Sequence, residues 1–337
     1  MQEPDPAGIQ AIRAEMSRQA ADALASFNGA GEAARAIADS ARRTGRLLLL
    51  GMGGSHAVNR TVEPLYRRAG IDATAVPVSE MLYAPLGAQT RTALLASQSG
   101  ESAEIVRYLD GPAETEERFG LTLDGGSRLA RSVPSLVGHG GVEQAFAATR
   151  SLTVSLALHG RVLQELGLDQ AEALGAAQAI SDTEIGPAAE LLSGKKAVVF
   201  SGRAALQGIA EAGALGLMEL ARIPCFALEG GQLRHGPVEA LGPDLGVVLI
   251  RAAGAAPELT TGMAELCVEA GGRPVVLDAS GLEPIPGAVT VQLPQRADLA
   301  AVFTVLPAMQ RLMIEVATRM VADAGTPIRA TKVTRVE

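Results

Sequence analysis

Hydroxyl side chains are concentrated in one short stretch, which we call the serine loop: Ser97-Gln98-Ser99-Gly100-Glu101-Ser102. It follows an apolar run at residues 93–96 and precedes a helical pattern at residues 103–109. In an open parallel sheet, ligands bind beyond the carboxyl ends of the strands, where helix N-termini present unpaired N–H groups and a partial positive charge. Ser97, Ser99 and Ser102 would add neutral donors for a dianion. The serine loop therefore predicts a phosphate site.

Each of these serines also has a structural interpretation, because serine often caps the first turn of a helix. Taken singly, Ser99 and Ser102 fit a helix cap about as well as a ligand contact. A cap requires one hydroxyl, whereas this stretch holds three together with Gln98. The cluster as a whole therefore favours a ligand site.

A glycine-rich turn, Gly51-Met52-Gly53-Gly54-Ser55, follows the first predicted strand, and a helix should start near Ser55. Glycines in this position could also indicate a dinucleotide-binding turn. The pattern G-x-G-x-x-G would require a third glycine at the position of His56, so a nucleotide is disfavoured. We expect Gly53 and Ser55 to contact the same phosphate from the adjacent loop.

The serine loop belongs to an alternation of strands and helices that occurs twice along the chain. The first strands are predicted at residues 47–50, 73–78, 93–96, 120–123 and 135–137, and the second set at residues 196–200, 224–228, 246–250, 274–277 and 289–293. The longer helices are predicted at residues 9–43, with a break near Gly29 and Gly31, and at residues 145–166, 170–192, 206–221 and 299–322.

This repetition predicts an α/β fold of two tandem three-layer α/β/α domains with parallel sheets. Gly51 and Gly202 each end an apolar strand and lie 151 residues apart, far more than the ~20–50 residues of stacked repeats. We expect an N-terminal helical segment at residues 1–44, a first domain with the serine loop at 45–165, a helical linker at 166–192, a second domain at 193–322 and a C-terminal tail at 323–337.

Composition excludes several classes of function. The formal charge is −8, aromatic residues make up 3% of the chain and no run of basic residues occurs, so a nucleic-acid partner is not expected. No apolar run reaches the ~18–20 residues of a membrane span, and the acidic, proline-containing N-terminus is unlike a secretory signal. Cys225 and Cys267 lack metal-type spacing. We expect a soluble cytoplasmic protein without metal or organic cofactor.

Several short phrases resemble the sugar isomerase (SIS) domain family. The serine loop resembles its phosphate loop, and Glu219 with the phrase Leu233-Arg234-His235-Gly236-Pro237 resembles the catalytic half of the glucosamine-6-phosphate synthases. The resemblance extends from about Gly45 to Glu337. It includes two further phrases, at the interdomain junction and in the tail: Glu143 with Ala147-Ala148-Thr149-Arg150-Ser151, and Lys332-Val333-Thr334-Arg335-Val336-Glu337.

The resemblance implies two SIS-type domains, a phosphorylated sugar as ligand and a homodimer with composite active sites. Converting a 2-amino aldose into a ketose needs a ring-opening acid/base, a base that moves a proton between C1 and C2, and often an amine that forms an imine. By resemblance, His235 opens the ring, Glu219 moves the proton and Lys332 forms the imine. The phosphate contacts are Gly53, Ser55, Ser97, Gln98, Ser99 and Ser102.

Without the resemblance, the three chemical residues are ambiguous. Glu219 lies in an apolar-periodic helix, where a carboxylate is usually only solvated. His235 lies on a loop of glycine and proline, where a structural hydrogen bond is as good an interpretation as catalysis. Lys332 is close to the chain end and would by default belong to a frayed tail.

The sequence departs from the synthase pattern in four places. Ala212 and Gly216 stand where the synthases carry a glutamate and a lysine, and Ala148 and Arg150 replace a serine and a lysine of the junction phrase. Two proton-handling groups are therefore missing, which bears on the identity of the substrate.

The chain opens with Met1-Gln2-Glu3, so we expect no glutaminase and no use of glutamine as nitrogen source. The leading hypothesis is an amino-sugar-phosphate deaminase/isomerase that converts glucosamine 6-phosphate into fructose 6-phosphate and ammonia. The alternatives are a fructosamine-phosphate deglycase, another aldose–ketose sugar-phosphate isomerase, and, in a different class, a non-catalytic sugar-phosphate sensor.

Overall fold

The computed structural model of the chain describes residues 5–179, 183–254 and 256–332. The chain divides into two compact units. The first unit comprises Ala14–Leu174 with Ile328–Glu337, and the second comprises Met1–Arg13 with Gly175–Pro327. Each unit has its own parallel sheet.

Two helices precede the first strand, α1 (Ala7–Gly29) and α2 (Gly31–Thr44). The break predicted near Gly29 and Gly31 is therefore confirmed. α2 ends at Gly45, whose left-handed backbone (φ +69°) lets its N–H bond to the carbonyl of Ala41. This glycine cap turns the chain directly into the first strand.

The first sheet has five parallel strands in the order β2-β1-β3-β4-β5. They span β1 (Arg46–Gly51), β2 (Asp72–Pro77), β3 (Arg91–Ala96), β4 (Glu116–Thr122) and β5 (Ser135–Val137). All five predicted strands are confirmed. β1 and β3 are the most apolar because helices cover both faces of a parallel sheet.

Helices cover this sheet: α3 (Gly53–Arg68), α4 (Val78–Tyr83), α5 (Ala103–Asp110), α6 (Arg128–Ser132) and α7 (Arg150–Glu165). The prediction of helix from residue 145 is wrong at its start, because α7 begins only at Arg150. The Glu143 carboxylate accepts the N–H groups of Thr149 and Arg150, at 2.9 and 2.8 Å, and so fixes the first turn there.

The helix predicted over residues 170–192 is divided into α8 (Ala171–Gln178) and α9 (Gly186–Ser193). α9 starts with a proline at its N-terminal positions. Proline lacks an N–H and disfavours helical conformation in the residue before it, so this position favours the start of a new helix.

The second sheet has the order β10-β9-β8-β6-β7, which is the strand order of the first sheet, and all its pairs are parallel. Its strands are β6 (Ala197–Ser201), β7 (Cys225–Ala227), β8 (Leu245–Ala252), β9 (Val275–Ala279) and β10 (Val289–Gln292). All five predicted strands are again confirmed. The expected fold class, two three-layer α/β/α arrangements with parallel sheets, is confirmed with them.

The helices of the second unit are α10 (Ala205–Ala221), α11 (Gly230–Arg234), α12 (Pro257–Glu269) and α13 (Asp298–Met320), with a 3-10 turn at Pro237–Ala240. α10 and α13 pack closely. A Cβ on Gly213 or Gly216 would lie 2.8 Å from the sulfur of Met309 or Met313, respectively. α13 is long and apolar enough to cross a membrane, but 78% of its most apolar window is buried, as in a core helix.

A buried ion pair joins β8 to β9. Arg251 and Asp278 are adjacent in the strand register and at most 1% exposed, and the Arg251 Nε lies 3.1 Å from Asp278 Oδ1. Arg251 also donates to the hydroxyl of Thr261, and Asp278 accepts from the backbone and hydroxyl of Ser280. The two buried charges are therefore compensated by each other and by hydrogen bonds to neighbouring residues.

Asp278→Ala should destabilise the second unit by about 3–5 kcal/mol, because it leaves a buried guanidinium without its carboxylate. Urea unfolding followed by circular dichroism measures the change. Asp72→Ala is the control, since Asp72 forms an exposed pair with Arg46 at 3.9 Å and should cost less than about 1 kcal/mol. Equal losses in the two variants would contradict the importance of the buried pair.

Candidate functional site

The carboxyl ends of β1 and β3 lie side by side at the point where the strand order of the first sheet reverses. Gly51 pairs with Ala96 in the register of these strands. The chain leaves β1 toward β2 on one side, whereas β3 lies on the other side. Such a switch point opens a crevice between the two following loops, and open α/β sheets bind ligands there. The serine loop and the glycine-rich turn after β1 therefore meet at one edge.

The serine loop is held by hydrogen bonds of its own hydroxyls. The Ser97 and Ser102 hydroxyl oxygens are 3.0 Å apart, and the Gly100 N–H donates to the Ser97 hydroxyl at 3.1 Å. The Glu101 N–H donates to the Ser99 hydroxyl at 3.3 Å. Ser97 and Ser99 are buried, while Ser102 is half-buried. The structure thus brings two of the predicted phosphate ligands into direct contact.

Ser102 is the N-cap residue of α5, yet its side chain makes no capping hydrogen bond. Its hydroxyl faces Ser97 instead. Ser127, the N-cap of α6, shows the usual arrangement, because its side chain accepts from the N–H of Ala130. The side chain of Ser102 therefore does not cap α5.

The loop conformation depends on Gly100. This residue has φ +63°, and a Cβ there would overlap the side chain of Ser127. The Gly100 carbonyl accepts from the Leu129 N–H at 3.2 Å, and the Glu101 carboxylate accepts from the Arg128 N–H at 2.6 Å. The start of α6 therefore fixes the serine loop from one side.

Gln98 is fixed at both its backbone and its side chain. Its carbonyl accepts from the Leu123 N–H at 3.0 Å and from the Thr122 hydroxyl at 3.3 Å. Its side-chain oxygen accepts from the Glu143 N–H at 3.2 Å. The serine loop is therefore connected to the segment before α7.

The turn after β1 supplies Gly53 and Ser55, the other two predicted phosphate contacts. Gly53 is exposed, has φ +49° and begins α3, and Ser55 is half-buried in the first turn. A Cβ on Gly54 would lie 3.1 Å from the Leu152 side chain. Burial, and next the Arg60 charge, lower the pKa of His56 to about 4, so this imidazole is neutral at pH 7.

Lys332 lies in the first unit, where its ammonium contacts two acceptors before α7. Its Nζ is 3.3 Å from Glu143 Oε2 and 3.2 Å from the Phe146 carbonyl oxygen. The side chain of Lys332 is 21% exposed, and that of Glu143 is 0% exposed. Residues 333–337 of the tail phrase lie outside the described residues. The structure therefore positions the tail lysine in the same unit as the serine loop.

Glu219 and His235 belong to the second unit. Glu219 is half-buried near the end of α10, and His235 is exposed at the residue after α11. Glu229 caps α11 by accepting from Gly231 and Gln232, and it pairs with Arg203 at 3.1 Å. These contacts fix the loop that carries His235.

At the equivalent strand end of the second sheet, the sequence of residues 251–256 contains no serine. In the first sheet, Gly51 pairs with Ala96, the residue before Ser97. In the second sheet, Ser201 pairs with Leu249, which places Gly202, the equivalent of Gly51, beside Ile250. The next residue, Arg251, is therefore the counterpart of Ser97. β8 continues to Ala252, and the Arg251 side chain is paired with Asp278. A buried ion pair therefore lies where the first sheet has the serine hydroxyls.

Two features of the site were not assigned by sequence reasoning. Glu143 was only the first residue of a junction phrase, although its carboxylate contacts Lys332. Arg150, which replaces a lysine of the junction phrase, pairs with Glu15 and Asp22 of α1 at 2.6 and 3.2 Å. Burial alone would raise the pKa of Glu15, but its bonds to Gln144 and Arg150 hold it below its usual range.

The fold is of the SIS type, with two parallel five-stranded sheets and flanking helices. Residues 191–310 match the family model described as the SIS domain. The solved tagatose-6-phosphate ketose/aldose isomerase from Escherichia coli is similar with a TM-score of 0.80 and 19% identity, covering 97% of this chain and 100% of that one. Glucosamine-6-phosphate deaminase from Thermotoga maritima is similar with a TM-score of 0.69 and 18% identity, covering 93% and 99%.

Among curated proteins, the glutamine–fructose-6-phosphate aminotransferase (isomerizing) of Haemophilus influenzae is 27% identical over 293 residues. The match covers 80% of this chain and 48% of that protein. The chain thus spans about half the length of the curated relatives it matches.

Ser102→Ala should lower stability by less than about 0.5 kcal/mol, because no capping bond is lost. The same change should weaken the binding of inorganic phosphate, measured by isothermal titration calorimetry. Ser127→Ala is the matched control, since it removes a real N-cap and should cost about 1 kcal/mol. Unchanged phosphate binding in Ser102→Ala would contradict the assignment of the serine loop.

Proposed function

We propose that the protein is an amino-sugar-phosphate deaminase/isomerase, which converts glucosamine 6-phosphate and water into fructose 6-phosphate and ammonia. The observation that carries this proposal is the presence of the serine loop and Lys332 in one unit, connected through Glu143. A phosphate cradle beside a lysine is what imine chemistry on a phosphorylated sugar requires.

The serine loop supports a phosphorylated substrate. Its hydroxyls and the N-terminus of α5 provide neutral donors at the switch point of the first sheet. Neutral donors suit a chain whose formal charge of −8 does not attract anions. We propose that Ser97, Ser99 and Ser102 bind the phosphate, with Gln98, Gly53 and Ser55 at its edge.

Lys332 supports the imine step. After proton transfer from C2 to C1, the amino sugar carries an imine at C2. The Lys332 ammonium gives one proton to the nitrogen of this imine, and the resulting lysine amine adds to C2. A second proton passes from the lysine nitrogen to the substrate nitrogen, the C2–nitrogen bond of the substrate breaks and ammonia leaves. Water then hydrolyses the protonated lysine imine to the ketose and restores the ammonium. The lysine is regenerated, so the net reaction consumes one water.

Glu219 and His235 complete the proposal by resemblance. Glu219 would move the proton between C2 and C1, and His235 would open the sugar ring. The proposal includes a second SIS domain in the first unit, whose sheet has the strand order of the matched one. It also includes a cytoplasmic homodimer with composite sites. None of these steps uses a metal or an organic cofactor.

The similar proteins share a chemical theme in their names. They comprise a fructose-6-phosphate aminotransferase, a glucosamine-6-phosphate deaminase and a tagatose-6-phosphate ketose/aldose isomerase. Each name joins a six-carbon sugar phosphate to chemistry at its carbonyl or amine. This theme favours an enzyme over a sugar-phosphate sensor.

A fructosamine-phosphate deglycase is the second candidate. Ala212 and Gly216 stand where the synthases carry a glutamate and a lysine, and Gly216 packs against Met313. A site with fewer proton-handling groups near Glu219 favours a substrate that is already a ketose derivative. Incubation with phosphorylated fructosamines in parallel separates the two activities.

Purified protein should release ammonia from millimolar glucosamine 6-phosphate and form an equal amount of fructose 6-phosphate. Coupled enzymatic assays of both products measure the stoichiometry. Ammonia release from a fructosamine phosphate alone would establish the deglycase instead. Binding of both compounds without turnover of either would contradict an enzyme and indicate a sensor.

Lys332→Ala and Glu219→Gln should each lower kcat for ammonia release by at least about 100-fold, because general acid–base catalysis alone contributes about 10²–10⁴-fold. The thermal stability of Glu219→Gln should stay close to that of the parent protein, since Glu219 is half-buried. Lys332→Ala should be less stable, because the buried Glu143 carboxylate loses its charged donor. Steady-state kinetics with glucosamine 6-phosphate measures the effect. Full turnover in both variants would contradict the assigned chemistry.

A further inference from the structure

The Glu143 carboxylate is buried and accepts bonds from four residues. Oε1 accepts the N–H and hydroxyl of Thr149, both at 2.9 Å, and the Arg150 N–H at 2.8 Å. Oε2 accepts the Ser151 hydroxyl at 2.5 Å and the Lys332 ammonium at 3.3 Å. Lys332 is the one charged donor in this set.

The neutral donors hold the carboxylate in place. They are the first-turn groups of α7, where a negative charge is also stabilised by the helix dipole. A movement of the Glu143 carboxylate would break its hydrogen bonds to the first turn of α7. The carboxylate therefore has a fixed position, and the Lys332 ammonium binds to its Oε2.

The backbone of Glu143 contacts the serine loop. Its N–H donates to the Gln98 side chain within the serine loop at 3.2 Å. Gln98 is itself fixed by Thr122, at the end of β4, and by Leu123 directly after it. One residue therefore touches both the phosphate loop and the tail lysine.

We propose that Glu143 is the positioning residue for Lys332 and that it couples the tail to the serine loop. The ion pair holds the amine beside the place where the bound sugar presents its C2 carbon, and a ligand on the serine loop tightens the tail through Gln98 and Glu143. The inference deepens the proposed function and rests on it for the identity of the ligand. Glu143 remains a carboxylate throughout and exchanges no proton.

Glu143→Gln tests the ion pair without removing the helix cap. The amide oxygen can still accept from Thr149 and Arg150, whereas its NH₂ group cannot accept from Lys332. Limited trypsinolysis at the Arg329–Ala330 bond, followed by intact mass spectrometry, reports tail order. We expect cleavage of ligand-free Glu143→Gln to be at least tenfold faster than that of the parent protein.

Ser151→Ala is the matched control, because Ser151 donates to the same oxygen and leaves the lysine pair intact. It should lower thermal stability without changing cleavage at Arg329. Lys332→Met removes the other partner and should accelerate cleavage as Glu143→Gln does, with no further gain in the double variant. Parent-like cleavage in both Glu143→Gln and Lys332→Met would overturn the inference.

A second arm uses fructose 6-phosphate at saturating concentration. It should slow cleavage at Arg329 at least threefold in the parent protein and leave Glu143→Gln unprotected. Equal protection of both proteins would overturn the coupling. If fructose 6-phosphate neither shifts the thermal stability of the parent protein nor is turned over, the proposed function fails, whereas the ligand-free cleavage rates still decide the role of Glu143.

Discussion

The strand order of the first sheet is the constraint on which the candidate site depends. Because β1 leads to β2 on one side and β3 lies on the other, the loops after β1 and β3 turn away from each other and leave a crevice between them. Two helices, α3 and α5, begin at its rim. The serine hydroxyls lie directly before the start of α5.

The same strand order in the second unit serves a different purpose. There the counterpart of Ser97 is Arg251, which forms a buried ion pair with Asp278. In the second unit, the strand end is therefore used for a structural contact, whereas we propose a ligand site at the equivalent strand end of the first unit. The two units thus share an architecture and differ in chemistry.

Two cations of the first unit, Arg150 and Lys332, are engaged in ion pairs with carboxylates. Arg150 is paired with Glu15 and Asp22, and Lys332 with Glu143. In the proposed phosphate site, the donors are therefore neutral hydroxyl and amide groups.

Ten strands and the break between α1 and α2 were predictable from sequence, because buried parallel strands are continuous apolar runs between glycine-rich turns. The start of α7 was not, since it depends on a hydrogen bond from the chain at Thr149 to Glu143. The surroundings of Lys332 were also beyond sequence reasoning. Lys332 meets Glu143 across 189 residues, and no periodicity records a contact of that separation.

The proposed roles of Glu219, His235 and Lys332 come from family resemblance, whereas the proposed phosphate site comes from the residue types of the serine loop. The contact of Glu143 with the start of α7 could have been predicted from sequence, because a lone glutamate shortly before a helix start rich in Thr and Ser is a candidate cap. Its second role needs the folded tail and could not be inferred from local sequence.

The central claim is that Lys332 forms an imine with a sugar phosphate held by the serine loop. The chain has three lysines, Lys195, Lys196 and Lys332, so borohydride reduction in the presence of fructose 6-phosphate, followed by peptide mass mapping, tests it directly. The account predicts one covalent sugar-phosphate adduct, on Lys332, which is lost when Ser97 and Ser102 are both replaced by alanine. An adduct on Lys195 or Lys196, or no adduct in a protein that turns the sugar over, would contradict it.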